Sequence, residues 1–305
     1  MWISWYTVSI MKAPKNLFVL PFDHQTGLWK AFGWSEPITD EQNALMIETR
    51  DITYEGYQYG LSLGIPASDT AILTDDIYGK NVIDNAKKNG HPLIYTLEKS
   101  GQPSLVFQHD DWQDRVLKNK PEWIKTLVRY NPEANRADLD ATLVNAKIVS
   151  DFAKAHNIPY MIEPLVQPTD TQKEIADFDH TMRPDLTVRM INEIYEAGIF
   201  PTVWKIEGSD DIEFYNKSAN AIAAHDTNAR IVVLGRNETI ETVSTWMATG
   251  AQNDYVIGFA VGRTVFLDAI KKYISKEMTR DQAVQQIGEN FYKIYKAFTN
   301  AKTHA

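Results

Sequence analysis

The chain of 305 residues contains no cysteine. That excludes disulfides, thiolate metal sites and a cysteine nucleophile, and it fits a cytoplasmic protein. Positive charge is also short: 31 Lys and Arg against 40 Asp and Glu give a net charge of −9. A broad face for nucleic acid or for an anionic membrane is therefore not expected. A few local cations inside a cleft can still hold an anionic small molecule. No apolar run reaches the length of a membrane span. No Walker loop, GxGxxG, GxSxG or HExxH motif occurs. No Pro-, Gly- or Ser-rich linker divides the chain, and there is no internal repeat or low-complexity tract.

The opening, Met1 to Met11 (MWISWYTVSIM), is apolar and aromatic. It lacks a basic n-region, and no small-residue cleavage site follows, so a signal sequence is the minor reading. Residues 1–14 are read as an N-terminal extension, either a start-site addition ahead of Met11 or a short packed arm. One domain is expected over 15–305.

What is present is a repeated alternation. Short apolar runs lie at 17–22, 71–74, 93–97, 124–130, 160–166, 203–207, 231–234 and 255–261. Amphipathic helical stretches separate them at 41–63, 81–89, 137–156, 184–197, 212–224 and 239–249, and one more covers 279–298. Several helices stop at glycine with a strand close behind, as in Lys88-Asn89-Gly90 and Glu196-Ala197-Gly198. Alternation of this kind builds a parallel barrel or a doubly wound sheet. Eight strands in this length favour a single-domain (β/α)8 TIM barrel.

Polar residues gather at the C-terminal ends of the strands: Asp23, Asp75, Glu98, Lys125 with Arg129, Glu163, Lys205 with Glu207, Arg236 and Arg263. Barrel active sites form on that face. Lys205 is the sharpest signal, because it lies between Trp204 and Ile206 in an apolar strand. Side chains alternate along a strand, so Lys205 and Glu207 share a side, and Glu207 is expected to contact substrate. Burial against the helices would be costly, which leaves the barrel interior. An amine deprived of water favours its neutral form, the form that attacks carbonyls. The plainer reading is a structural ion pair with Glu163 or Glu207.

Lys125, if inward, brings a second ammonium near the first. Glu163 lies between the two lysine strands and suits acid–base work. Asp23 ends the first strand and is placed to orient a hydroxyl or carry a proton; its alternative is a turn residue before Gly27. Strands seven and eight each end in a Gly-Arg step, Gly235-Arg236 and Gly262-Arg263. Loops after these strands are a frequent phosphate site in barrels, glycine allowing close approach and arginine a forked donor set. Asp75, Asp76, Glu98 and His24 form a weaker metal hypothesis without diagnostic spacing. His180, Arg183 and Pro184 mark a loop that could close over substrate.

The segments LPFDH (20–24), KTLVRYNP (125–132), MIEPLV (161–166), VWKIEG (203–208), VLGR (233–236) and GFAVGRTVF (258–266) resemble one family. It is the aldolase-like domain found C-terminal to the inositol-catabolism kinase 5-dehydro-2-deoxygluconokinase. The resemblance spans about residues 15–298. More distantly, that family is similar to the class I tagatose-bisphosphate aldolases, barrels with a Schiff-base lysine on strand six. The resemblance implies Lys205 as the Schiff-base residue, Glu163 as acid–base group and Lys125 as support for both. It implies substrate contact by Asp23 and phosphate contact by Arg263, with no cofactor.

A phosphorylated small molecule is the expected partner, and barrels of this kind often associate, which admits a homo-oligomer. In the inositol pathway the implied reaction is cleavage of 2-deoxy-5-keto-gluconate 6-phosphate to dihydroxyacetone phosphate and malonate semialdehyde. No kinase segment is attached here, so tagatose or fructose bisphosphate stands as the alternative, with Arg129, Arg183 or Arg236 for its other anionic group. Three rivals differ in class: a metal-dependent aldolase, a retaining glycosidase using Glu163 and Glu207, and a non-catalytic sugar-phosphate-sensing barrel.

Overall fold

The computed structural model describes residues 12–303. The segment 1–11, most of the expected extension, lies outside the described residues. Eight strands form: β1 (Leu17–Pro21), β2 (Thr70–Thr74), β3 (Leu93–Thr96), β4 (Trp123–Arg129), β5 (Tyr160–Leu165), β6 (Val203–Glu207), β7 (Arg230–Leu234) and β8 (Val256–Ala260). Each pairs in parallel with its successor, and β8 pairs with β1, so the sheet closes as a barrel. The TIM barrel expected from the alternation is the observed fold.

The helices are α1 (Thr26–Ala31), α2 (Asp40–Ser62), α3 (Lys80–Asn89), α4 (Trp112–Asn119), α5 (Arg136–His156), α6 (Phe178–Thr181), α7 (Arg183–Glu196), α8 (Ile212–Ala223), α9 (Ile240–Gly250), α10 (Arg263–Ile274) and α11 (Arg280–Thr303). The sequence reading passes over α1, α4, α6 and α10. Local chemistry sets several ends. Thr39 and Gln42 form a reciprocal capping box at the start of α2. Gly90 ends α3 in the left-handed region, at φ 68°. Among the described residues no helix is long and apolar enough to cross a membrane.

The period of two along each strand sorts side chains into two cores. Phe18, Ile72, Ile124, Ile162, Trp204 and Phe259 face the helices. Leu17, Val19, Ala71, Leu73, Ile94, Met161, Val203 and Val232 fill the barrel interior. Continuing the same alternation toward the C-terminal ends replaces apolar with ionic side chains. Val203 is followed inward by Lys205, Met161 by Glu163, and Trp123 by Lys125. The barrel therefore has an apolar floor and a charged roof.

Candidate active site

At the roof, two lysines and three carboxylates meet. Lys125 is 1% exposed along its side chain. Its Nζ lies 2.9 Å from Asp23 Oδ2, 2.6 Å from Glu98 Oε1 and 2.8 Å from Glu163 Oε2. Lys205 is also buried, and its Nζ lies 2.8 Å from Glu163 Oε1. Glu163 thus bridges the two ammonium groups, one on each oxygen. No other carboxylate lies within 4.0 Å of Lys205 among the described residues.

The electrostatics divide the carboxylates. Burial alone would raise Glu163, but Lys125 and then Lys205 outweigh it and hold the carboxyl below its ordinary range. Asp23 behaves likewise: against burial, Lys125, His24 and Lys205 keep it well below the usual carboxylate range. Glu98 goes the other way. Its burial exceeds the pull of Lys125, and Asp23 adds to the rise. Lys125 itself, despite burial, is pushed well above the ordinary lysine value by Asp23, Glu163 and Glu98.

Two adjoining lobes open above this cluster, with volumes of about 380 and 240 Å3. His24, Glu163 and Arg263 line both. Lys125, Glu98 and Arg129 belong to the larger lobe; Lys205, Gly235, Arg236 and Gly262 belong to the smaller. The structure therefore brings Asp23, Lys125, Glu163, Lys205 and Arg263 around one cavity.

The two Gly-Arg steps differ. Gly262 precedes α10, and a Cβ there would lie 2.2 Å from the Pro21 carbonyl oxygen and 3.0 Å from His24 Cε1. Only glycine lets this backbone pass so close. Arg263, at the start of α10, is half-buried and has no carboxylate oxygen within 4.0 Å among the described residues. Arg236 instead pairs with Asp179 and stands over the Trp246 ring, 5.6 Å from its centroid. Its backbone is left-handed, at φ 50°.

Glu207, expected to contact substrate, has both oxygens engaged by the protein. Oε1 pairs with Arg183, and Oε2 accepts from the Val166 amide at 3.0 Å. Arg183 also pairs with Asp179 at 2.6 Å, so Arg183, Asp179, Arg236 and Glu207 form one network beside the smaller lobe. Arg183 and Pro184 begin α7 rather than lying in a loop. Arg129 donates from Nη1 to the Gln102 carbonyl at 2.7 Å.

The residues of the metal hypothesis are parted by their partners. Asp75 faces Arg50 and accepts from the Ile77 and Tyr78 amides; Asp76 takes His109 and Arg115; Glu98 takes Lys125. Among the described residues no group of three or more His, Asp or Glu side chains is arranged to hold a metal ion. Sequence reasoning put Glu98 on the active-site face but gave it no role besides the metal hypothesis, and it named His24 for that hypothesis and not as a cavity wall. Strand alternation from Thr96 would have turned Glu98 inward. His24 has no such signal, because it follows the end of β1. Burial, aided by Arg263 and Lys205 and opposed by Asp23, lowers His24 to about 3, so its imidazole is neutral. Its Nδ1 is buried without a hydrogen-bond partner.

Solved structures share the fold. One is a Corynebacterium glutamicum protein, 16% identical, TM-score 0.56, covering 91% of this chain and 86% of its own. Another is fructose-bisphosphate aldolase from Plasmodium falciparum, solved with TRAP and a small-molecule inhibitor: 10% identity, TM-score 0.66, coverage 92% and 89%. A third is an archaeal fructose-1,6-bisphosphate aldolase whose catalytic Lys is covalently bound to the carbinolamine intermediate of the substrate: 12% identity, TM-score 0.52, coverage 91% and 94%. At these identities the likeness is one of fold. No curated protein sequence matches the chain. The sequence does match a family model over residues 3–302, and the chain belongs to that family, described as "Uncharacterized protein conserved in bacteria (DUF2090)".

Proposed function

We propose that the protein is a class I aldolase that cleaves a phosphorylated keto sugar or keto sugar acid through a Schiff base on Lys205. One observation carries the reading: a buried Lys205 amine inside the barrel, 2.8 Å from a single carboxylate that is itself anchored by a second lysine. The solved Schiff-base aldolases of like fold add support by analogy.

The chemistry runs as follows. Lys205 Nζ passes a proton to Glu163 Oε1 and attacks the ketone carbon, giving a carbinolamine. Glu163 returns the proton to the hydroxyl, and water leaves as the C=N bond forms. A base removes the proton of the hydroxyl β to the iminium carbon. The C–C bond breaks, its electron pair moves into the iminium as an enamine, and an aldehyde departs. Protonation of the enamine carbon and addition of water then release the ketone and free Lys205. Lys125, held by three carboxylates, keeps Glu163 charged and in place. Asp23 and the neutral His24 serve the substrate hydroxyls. Gly262, Arg263 and the start of α10 suit a phosphate, through close backbone approach and a forked donor. Gly235 and Arg236 form the wall beside it.

The preferred substrate is 2-deoxy-5-keto-gluconate 6-phosphate, giving dihydroxyacetone phosphate and malonate semialdehyde. Tagatose or fructose bisphosphate is the alternative. The test is borohydride reduction in the presence of dihydroxyacetone phosphate, followed by peptide mass spectrometry. A reduced adduct on Lys205 is expected; no adduct on any lysine, with the ligand bound, would overturn the reading in favour of a non-catalytic sugar-phosphate-binding barrel.

A further inference from the structure

The most exposed apolar side chains lie outside the cavity, on and beside α5. Val144 is 61% exposed and Phe200 56%, the highest values for large hydrophobic side chains among the described residues. Ile148, at 43%, and Val106, at 40%, belong to the same area. The fold brings the four together. Val144 and Ile148 are one turn apart on α5. The Phe200 amide donates to Ser150 Oγ at 3.0 Å, and Asn145 Nδ2 donates to the Leu105 carbonyl at 2.8 Å. Phe200 and Val106 are thereby set beside the helix. Exposed apolar area of this kind marks a binding surface.

The residue pattern of α5 is that of a helix with two packed sides. Leu139, Thr142, Ala146, Val149 and Ala153 are buried on the inward side. On the outward side Ala137, Ala141, Val144, Ile148, Asp151 and Ala155 follow one another at spacings of four and three, and all are exposed. Alternating steps of four and three form the seam of paired helices. A helix whose outward side met only water would carry polar residues there. Asp151, the one charge in the seam, is drawn to its edge by Lys147 at 2.6 Å.

Charge says what the partner is. The chain carries −9, so two copies repel over most of their surface. On α5 the charges balance: Arg136, Lys147 and Lys154 against Asp138, Asp140 and Asp151. They are also ordered. Asp140, Lys147 and Lys154 flank one edge of the seam at a spacing of seven, with the acid first. Turn the helix end for end against itself, about an axis midway between Val144 and Ile148. Val144 then faces Ile148, and Asp140 faces Lys154. Ala141 faces Asp151 and leaves it room. Lys147 comes near its own copy but is neutralised by Asp151. Each of these pairings occurs twice, as a two-fold axis requires. We infer that α5, with Val106 and Phe200 at its flanks, is the interface of a two-fold dimer of this chain. The aldolase reading plays no part in this.

Sedimentation equilibrium of the full chain at micromolar concentration is the test. Wild type is expected at twice the chain mass of 34.8 kDa. Ile148→Glu and Val144→Glu each put a carboxylate into the seam, at positions exposed in the single chain. Either should raise the dimer dissociation constant at least about 30-fold, the scale of an interface hot spot. Lys154→Asp should weaken pairing about fivefold, the scale of two exposed ion pairs, and adding Asp140→Lys should restore it. A single-chain mass for wild type would overturn the dimer and leave the face to another partner. A mass that both seam variants leave unchanged would overturn this face as the interface. Failure of the double reversal to recover pairing would overturn its antiparallel sense.

Discussion

Glu163 meets Lys205 through Oε1, at 2.8 Å, and gives its other oxygen to a different ammonium. The arrangement is lopsided. Lys205 has one carboxylate and Lys125 has three, so the two buried lysines should answer differently to the same substitution.

Lys205→Met removes one charge and leaves Glu163 paired with Lys125. Replacing one member of a buried pair by an apolar side chain is tolerated when the partner keeps a counter-ion. The variant should fold with a near-normal Tm, give no borohydride adduct and lose at least about 10^4-fold in kcat/KM. Lys125→Met strands Asp23, Glu98 and Glu163 together. A loss of about 3–5 kcal/mol is expected from chemical denaturation at pH 7, shrinking as the pH falls and the carboxylates take up protons. Equal Tm values for the two variants would contradict this division of labour.

Glu163→Gln keeps the shape of the side chain and removes its proton chemistry. We expect kcat to fall by about 10^2–10^4-fold. Borohydride trapping should slow but still mark Lys205, since the nucleophile remains. An intact kcat would assign the acid–base role elsewhere.

Two histidines give opposite pH signatures. Protonated His180 donates from Nδ1 to Asp177 and from Nε2 to Asp210, and these two hydrogen bonds raise it to about 9. Its contribution to stability is complete below the unfolded value of 6.5 and is lost as pH rises through 9. It is half exposed, so the effect is small and salt-sensitive. His24 is depressed by burial to about 3. The unfolded chain takes up that proton first, so stability present above pH 6.5 declines as pH falls toward 3. NMR titration of ring protons should give a midpoint near 9 for His180, moving down in Asp210→Asn, and no His24 transition between pH 5 and 8. A His24 midpoint near 6.5 would show that its ring is solvated.

Gly262→Ala puts a methyl group against the Pro21 carbonyl at 2.2 Å, a contact that only a backbone shift relieves. The shift displaces Arg263 and the start of α10. A loss of about 1–3 kcal/mol is expected, together with weaker binding of dihydroxyacetone phosphate. Thermal denaturation and calorimetry read the two effects. The neighbouring step predicts a milder outcome, because the Cβ of Gly235→Ala would meet side-chain atoms, the nearest being Val261 Cγ1 at 2.9 Å.

Much of this was legible in one dimension. All eight strands lie within one or two residues of the runs read from apolar pattern, because a strand buried on both faces must be apolar along its whole length. Lys205 and Glu163 stood out for the same reason, as charges inside such runs. The helices α4 and α10 were not legible. The first is only eight residues long, and the second starts directly on the charged Gly262-Arg263 step.

Composition and periodicity by themselves determined the barrel, the absence of cysteine chemistry and the inward side of Lys205, since alternation along a strand is a local rule. Only the tertiary structure decided how charges are shared. Asp23 and Lys125 are 102 residues apart in the chain yet 2.9 Å apart in space. Arg236 and Arg263 look alike in sequence, but only Arg236 meets Asp179, 57 residues away. Pairing of ions is a property of distance in space, and the closed ring of strands is what sets those distances.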